Sequence, residues 1–196
     1  MLFGTVRSKR FNKESIRTPQ KEDEVIIYVS RNPKDVSISY YHHFKLMQNY
    51  IGSFEDFIEA FLSDMVLFSP FWGHVLGYWK RKDEFPIIFN TYEEMKKDLL
   101  SVVQKTCRFL GKSYTDTEVE GLLDHLSFSK MKENPSVNYE HVITRKRLTE
   151  DIKDLKFFRK GEAGGWKKAM SPELSARFDA WTAEKLKDSD YEVDTM

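Results

Sequence analysis

The sequence predicts an α/β fold on a parallel sheet, and three features predict it. The run Glu24 to Ser30 (Glu-Val-Ile-Ile-Tyr-Val-Ser) is almost continuous in β-branched and aromatic residues, which marks a strand covered on both faces. Directly after it, Asn32 and Pro33 read as an N-cap and a first helical residue, because proline lacks the amide that a first turn leaves unpaired. A second short apolar run, Phe85 to Phe89, returns only after helical segments, so the two strands are joined by a crossover and run parallel.

The remaining elements follow from periodicity and capping. The helix opened by Pro33 extends to about Met47. Ser53 with Asp56 opens another whose inner face carries Phe54, Phe57 and Phe61. Ser69 before Pro70 reads as the same cap-plus-proline start for an aromatic helix reaching Trp79. Beyond the second strand, a helix through Leu99, Val102, Val103 and Phe109 stops at Gly111, and Thr115 with Glu118 opens the next. From Asn134 to Gly165 the periodicity dissolves, and a long unpatterned segment inside a compact domain is usually functional. Ser171-Pro172-Glu173 starts a last helix with Leu174, Phe178 and Trp181 on one face. Residues 1–23 read as a poorly ordered charged leader and 24–196 as one domain.

Composition narrows the function classes. Lys plus Arg and Asp plus Glu are both 31, so no bulk field draws the chain to nucleic acid or an anionic membrane, and any anion site is local. The single cysteine, Cys107, excludes an intrachain disulfide, and the start lacks a secretory apolar run, which fits a cytoplasmic setting. Met65 to Trp79, the most apolar stretch, falls short of the roughly 20 residues of a membrane span.

Two segments carry chemistry. Tyr28-Val-Ser-Arg-Asn-Pro-Lys-Asp-Val-Ser-Ile-Ser39 places Arg31 at the end of a strand, with helix amides just beyond, where α/β sheets bind ligands. A guanidinium fork beside a helix N-terminus suits a phosphate. Spacing alone equally allows Arg31 to pair with a surface carboxylate. In Phe157-Phe-Arg-Lys-Gly-Glu-Ala-Gly-Gly-Trp-Lys167, Arg159 and Lys160 sit on a glycine-rich loop that could close on an anion, or whose charges could simply face water.

These segments, with Tyr40-Tyr-His-His-Phe44, Ser53-Phe-Glu-Asp-Phe57, Tyr92-Glu-Glu-Met-Lys-Lys-Asp98 and Ser127-Phe-Ser-Lys-Met-Lys-Glu-Asn-Pro135, resemble in order and separation the cytosolic sulfotransferases that use 3′-phosphoadenosine 5′-phosphosulfate, over roughly residues 24–192. The resemblance implies a P-loop-NTPase-like parallel sheet flanked by helices. It implies 3′-phosphoadenosine 5′-phosphosulfate as co-substrate, no metal, and a small phenol, alcohol or amine as acceptor. By position, Arg31 and Ser39 resemble the pair that binds the 3′-phosphate, Arg159, Lys160 and Gly161 complete that pocket, Tyr92 resembles the tyrosine on the adenine, and Ser127 and Phe128 resemble residues lining the nucleotide site.

The departures matter equally. Leu126 stands where the family commonly has a hydroxyl, and Gly165 where it commonly has Asp. Lys167, Ser171-Pro172 and Ala176 fall where the family's dimer motif has Lys, Thr-Val and Glu, so that dimer is expected to be degraded. The family's N-terminal phosphate loop, Thr-Tyr-Pro-Lys-Ser-Gly-Thr-Thr-Trp-like, has no counterpart, and residues 1–23 hold no histidine where a catalytic base is expected. The sheet is therefore expected to be incomplete, the chain N-terminally truncated and inactive alone, and no residue is assigned a catalytic role. His42, His43, His74, His125 and His141 are the only histidines, and the first four fall in predicted helices. A non-catalytic remnant that binds adenosine 3′,5′-bisphosphate or a partner chain is the alternative. A nucleoside-phosphate kinase is disfavoured, because no Walker-type loop is present.

Overall fold

The computed structural model describes residues 25–147 and 155–194. The leader expected at 1–23 lies outside the described residues. Strand β1 (Ile26–Ser30) and strand β2 (Ile87–Thr91) pair in parallel with Tyr28 opposite Phe89, as the two apolar runs require. Three helices make the crossover: α1 (Pro33–Gln48), α2 (Phe54–Leu62) and α3 (Phe71–Trp79). After β2 come α4 (Tyr92–Lys97), α5 (Leu99–Phe109), α6 (Asp116–His125), α7 (Phe128–Glu133), α8 (Glu140–Arg147), α9 (Trp166–Ala169) and α10 (Pro172–Leu186).

Alternation along β1 divides the core. Tyr28 and Ile26 face an aromatic layer with Tyr40, Phe57, Phe61, Phe71, Trp72, Tyr78 and Phe178, drawn from α1, α2, α3 and α10. Phe178 is fully buried, so α10 closes the layer from the far end of the chain. On the opposite face Ile88 and Asn90 are covered near α5, where Asn90 Nδ2 donates to Thr106 Oγ1 at 3.1 Å. A smaller cluster joins Leu46 of α1 to Ile143 of α8, with Phe157 packed against it.

Most caps fall where the side chains predict. Asn32 accepts from the Lys34 amide, Ser53 from Asp56, and Thr115 forms a full capping box with Glu118. Three expectations need correction. Pro70 itself is the N-cap of α3, and its ring carries no oxygen to accept from the first-turn amides, so the helix starts without a side-chain cap. The second strand is shifted to Ile87–Thr91: Pro86 has no amide to donate, and only its carbonyl joins the ladder by accepting from Ile26. The segment 134–165 is not wholly without structure, since α8 lies within it and is docked by the fully buried Ile143 on a largely polar helix. No helix among the described residues is long and apolar enough to cross a membrane.

Candidate functional site

A cavity of about 540 Å³ opens at the C-terminal end of β1. Arg31 lines it from the β1–α1 corner, Ser39 from the second turn of α1, Tyr92 from α4, Ser127 and Phe128 from the start of α7, and Arg159, Lys160 and Gly161 from the loop before α9. Residues far apart in the chain thus share one wall. Val29, Leu99, Leu126, Met131 and Phe158 supply its apolar parts, so a flat apolar group and a charged group could be held side by side.

Arg31 is the most constrained cation. It follows the last strand residue, its side chain is only 13% exposed, and its guanidinium carbon lies 4.1 Å from the centre of the Tyr92 ring. Nη2 donates to the Glu162 carbonyl at 2.7 Å and lies 3.7 Å from Asp35 Oδ2, while Nε is buried without a hydrogen-bond partner. The pairing with a carboxylate that spacing allowed is therefore present, but with a buried carboxylate.

The helix N-terminus does not act as expected. Residues 32–35 are absent from the cavity wall. The Asn32 amide donates to Glu93 Oε1 at 3.1 Å, the Lys34 amide to Asn32 Oδ1 at 3.0 Å, and the Val36 amide to the Asn32 carbonyl. Side chains, not first-turn amides, therefore supply the donors at this wall.

Tyr92 begins α4 behind a capping box in which Thr91 and Glu94 bond each other's amides, which fixes the helix direction leaving the sheet. Burial raises the Tyr92 phenol, while the neighbouring Arg31 cation acts to lower it. Met95, Lys96 and Leu99 line the same wall, three, four and seven places after Tyr92. Sequence reasoning missed Lys96, although the i, i+4 relation to Tyr92 on a capped helix was its signal. Arg31, Lys96, Arg159 and Lys160 face a single wall carboxylate, Glu162, so the cavity is locally cationic in a chain of zero formal net charge.

Loop geometry accounts for Gly161. Its φ is +68°, a conformation L-residues avoid, and a Cβ there would lie 2.4 Å from Phe128 Cδ2. Phe128 packs edge-on against Phe158 at 5.8 Å, which ties the loop to α7. Ser127 is the N-cap of α7 and accepts from the Lys130 amide. Leu126, the apolar departure, does line the cavity, so its wall is drier there than a hydroxyl would make it.

None of the five histidines lines the cavity. Burial, with the Arg159, Lys45 and Lys160 cations nearby, holds the His42 imidazole below its ordinary value, so it is neutral at neutral pH. His74 is buried beside Tyr28, with Nδ1 2.8 Å from the Tyr28 hydroxyl. Among the described residues no His, Cys, Asp and Glu group could hold a metal ion.

Residues 17–190 match the profile of the sulfotransferase domain. The chain is 43% identical over 167 residues to the luciferin sulfotransferase of Photinus pyralis, covering 85% of this chain and 45% of that protein. It is 40% identical over 157 residues to sulfotransferase 1B1 of Canis lupus familiaris, covering 79% and 52%. Among solved structures it resembles retinol dehydratase in complex with androsterone and the inactive cofactor PAP, with TM-score 0.79, 31% identity and coverage of 88% and 50%. It also resembles mouse sulfotransferase SULT7A1 complexed with PAP, with TM-score 0.70, 31% identity and coverage of 85% and 60%. The chain spans about half the length of the curated relatives it matches.

Proposed function

The chain belongs to the sulfotransferase family, and on that premise we propose that its cavity grips the nucleotide of 3′-phosphoadenosine 5′-phosphosulfate, which supplies the sulfuryl group when bound. Arg31 from the β1–α1 corner and Ser39 from the second turn of α1 take the 3′-phosphate, and Arg159, Lys160 and the Gly161 backbone close on it from the loop. Tyr92 offers a face to the adenine, and Ser127 and Phe128 complete the pocket. The observation that carries this reading is the Arg31 guanidinium, held against Tyr92 in the wall that also presents Arg159 and Lys160.

The whole protein then transfers a sulfuryl group to a small hydroxyl or amine: the bond from sulfur to the bridging phosphate oxygen breaks, a bond from sulfur to the acceptor forms, and the acceptor proton leaves. Cations at the wall stabilise the charge on the departing bisphosphate. Taking that proton requires a base within hydrogen-bond reach, and the cavity wall carries no histidine. Nucleotide binding is the part of this scheme assigned to this chain. No metal enters the scheme. The acceptor is of the phenol, alcohol or amine class.

Calorimetric titration with adenosine 3′,5′-bisphosphate tests the assignment. Arg31→Ala and Arg159→Ala should each weaken binding by about tenfold or more, the range for losing a charge-assisted contact to phosphate. Binding of both variants as tight as that of the parent overturns it. A second reading, a chain that pairs with another, is favoured by the exposure of Val25 and Ile27 beside and on β1, which has no strand partner other than β2 among the described residues.

A further inference from the structure

We propose that Asp35 is a positioning residue that latches the arm carrying Arg159, Lys160 and Gly161 onto the β1–α1 corner, an inference that rests on the nucleotide reading above. Asp35 stands in the first turn of α1, its side chain is 3% exposed, and it does not line the cavity. A buried carboxylate needs donors. Both of its donors come from the glycine loop: the Gly164 amide donates to Oδ2 at 2.7 Å and the Trp166 amide to Oδ1 at 3.0 Å.

The loop is held at alternate residues. The Glu162 carbonyl accepts from Arg31, the Gly164 and Trp166 amides bind Asp35, and the Trp166 ring lies 4.1 Å from Lys34 Nζ. Lys34 is itself fixed by Asp179 at 2.7 Å and Ser175 at 2.8 Å on α10. The residues that would meet the phosphate immediately precede this clasped stretch, and Arg159 and Lys160 are exposed. Their distance from Arg31 is therefore set by the clasp.

Asp35 is the joint of the two halves. The carboxylate that receives the loop amides also lies 3.7 Å from Arg31 Nη2, so one group orients the strand-end guanidinium and holds the arm that brings the second cation. Gly165 lies against this acceptor: a Cβ there would be 3.5 Å from Asp35 Oδ1, an ordinary contact.

A double-mutant cycle with adenosine 3′,5′-bisphosphate as titrant tests the latch. Asp35→Asn keeps the shape and one acceptor oxygen but loses the charge and one loop bond, and should bind about tenfold more weakly. Arg159→Ala should cost affinity in the parent and nothing further in the Asp35→Asn background, because the arm no longer reaches the phosphate. Losses that multiply independently, or Asp35→Asn binding as tight as that of the parent, overturn the latch while leaving the nucleotide site standing. A parent chain that does not bind overturns both. Amide hydrogen exchange on the parent chain needs no variant: Gly164 and Trp166 should exchange at least about a hundredfold more slowly than unstructured peptide before nucleotide is added. Exchange at the unstructured rate overturns the latch.

Discussion

Gly161 shows how much a single residue constrains this site. Its positive φ and the Phe128 ring packed where a Cβ would sit act on one backbone unit, so any side chain there must both strain the loop and displace an aromatic wall residue. Gly161→Ala should lower stability by about 1–2 kcal/mol from the backbone conformation alone, with a further loss from the Phe128 contact, measured by urea denaturation. Nucleotide affinity should fall with it, because Phe128 and Gly161 share the cavity wall. A variant as stable as the parent would show that the loop opens without effort. The glycine itself was legible in the sequence as part of an anion-closing loop. Its partner Phe128 was not, since the two residues meet only when α7 and the loop are folded together.

At the scale of the element, α4 is the informative case. It runs only from Tyr92 to Lys97, too short to be stable by propensity, and its direction depends on the Thr91–Glu94 capping box. Thr91→Ala should cost about 1 kcal/mol of stability and weaken adenosine 3′,5′-bisphosphate binding several-fold, as Tyr92 and Lys96 lose their common orientation; calorimetry on the variant checks both. Unchanged affinity would mean that packing against β2 and α5 alone holds α4. The first turn of α1 gives the opposite lesson. Its Asn32 cap was readable, yet that cap and the buried Glu93 take up amides that the sequence reading offered to the phosphate. Burial raises the Glu93 carboxyl, opposed by its bond from the Asn32 amide, so this group belongs to the frame of the corner rather than to the cavity.

Across the whole molecule, the aromatic layer sets the response to acid. Burial lowers the His74 imidazole to about 4, against an ordinary value of 6.5. The neutral form is the one the fold accepts, so the stabilisation is complete above pH 6.5 and is lost as pH falls from 6.5 toward 4, by roughly 3 kcal/mol at most. Thermal unfolding should therefore move to lower temperature over that interval, and His74→Asn, though less stable at neutral pH, should show a shallower dependence. An equal slope in the variant would place the acid sensitivity elsewhere. The sensitivity is global because His74 joins α3 to Tyr28 at the centre of β1, the strand that also delivers Arg31.

What the amino-acid order determined by itself was local or periodic: the two apolar strands, the side-chain caps, the aromatic faces of α2 and α10, and the two cationic segments with their glycines. These depend on neighbours within a turn or a strand, so they can be read along the chain. Only the tertiary structure decided that Arg31 lies on Tyr92, that Lys96 joins the cavity, that Ile143 docks a polar helix, and that Asp35 turns inward to hold a loop from near the chain's other end. Each of those contacts joins segments whose separation in sequence carries no periodic signal, and each exists because burying the aromatic layer and the buried charges leaves few ways to satisfy their polar groups.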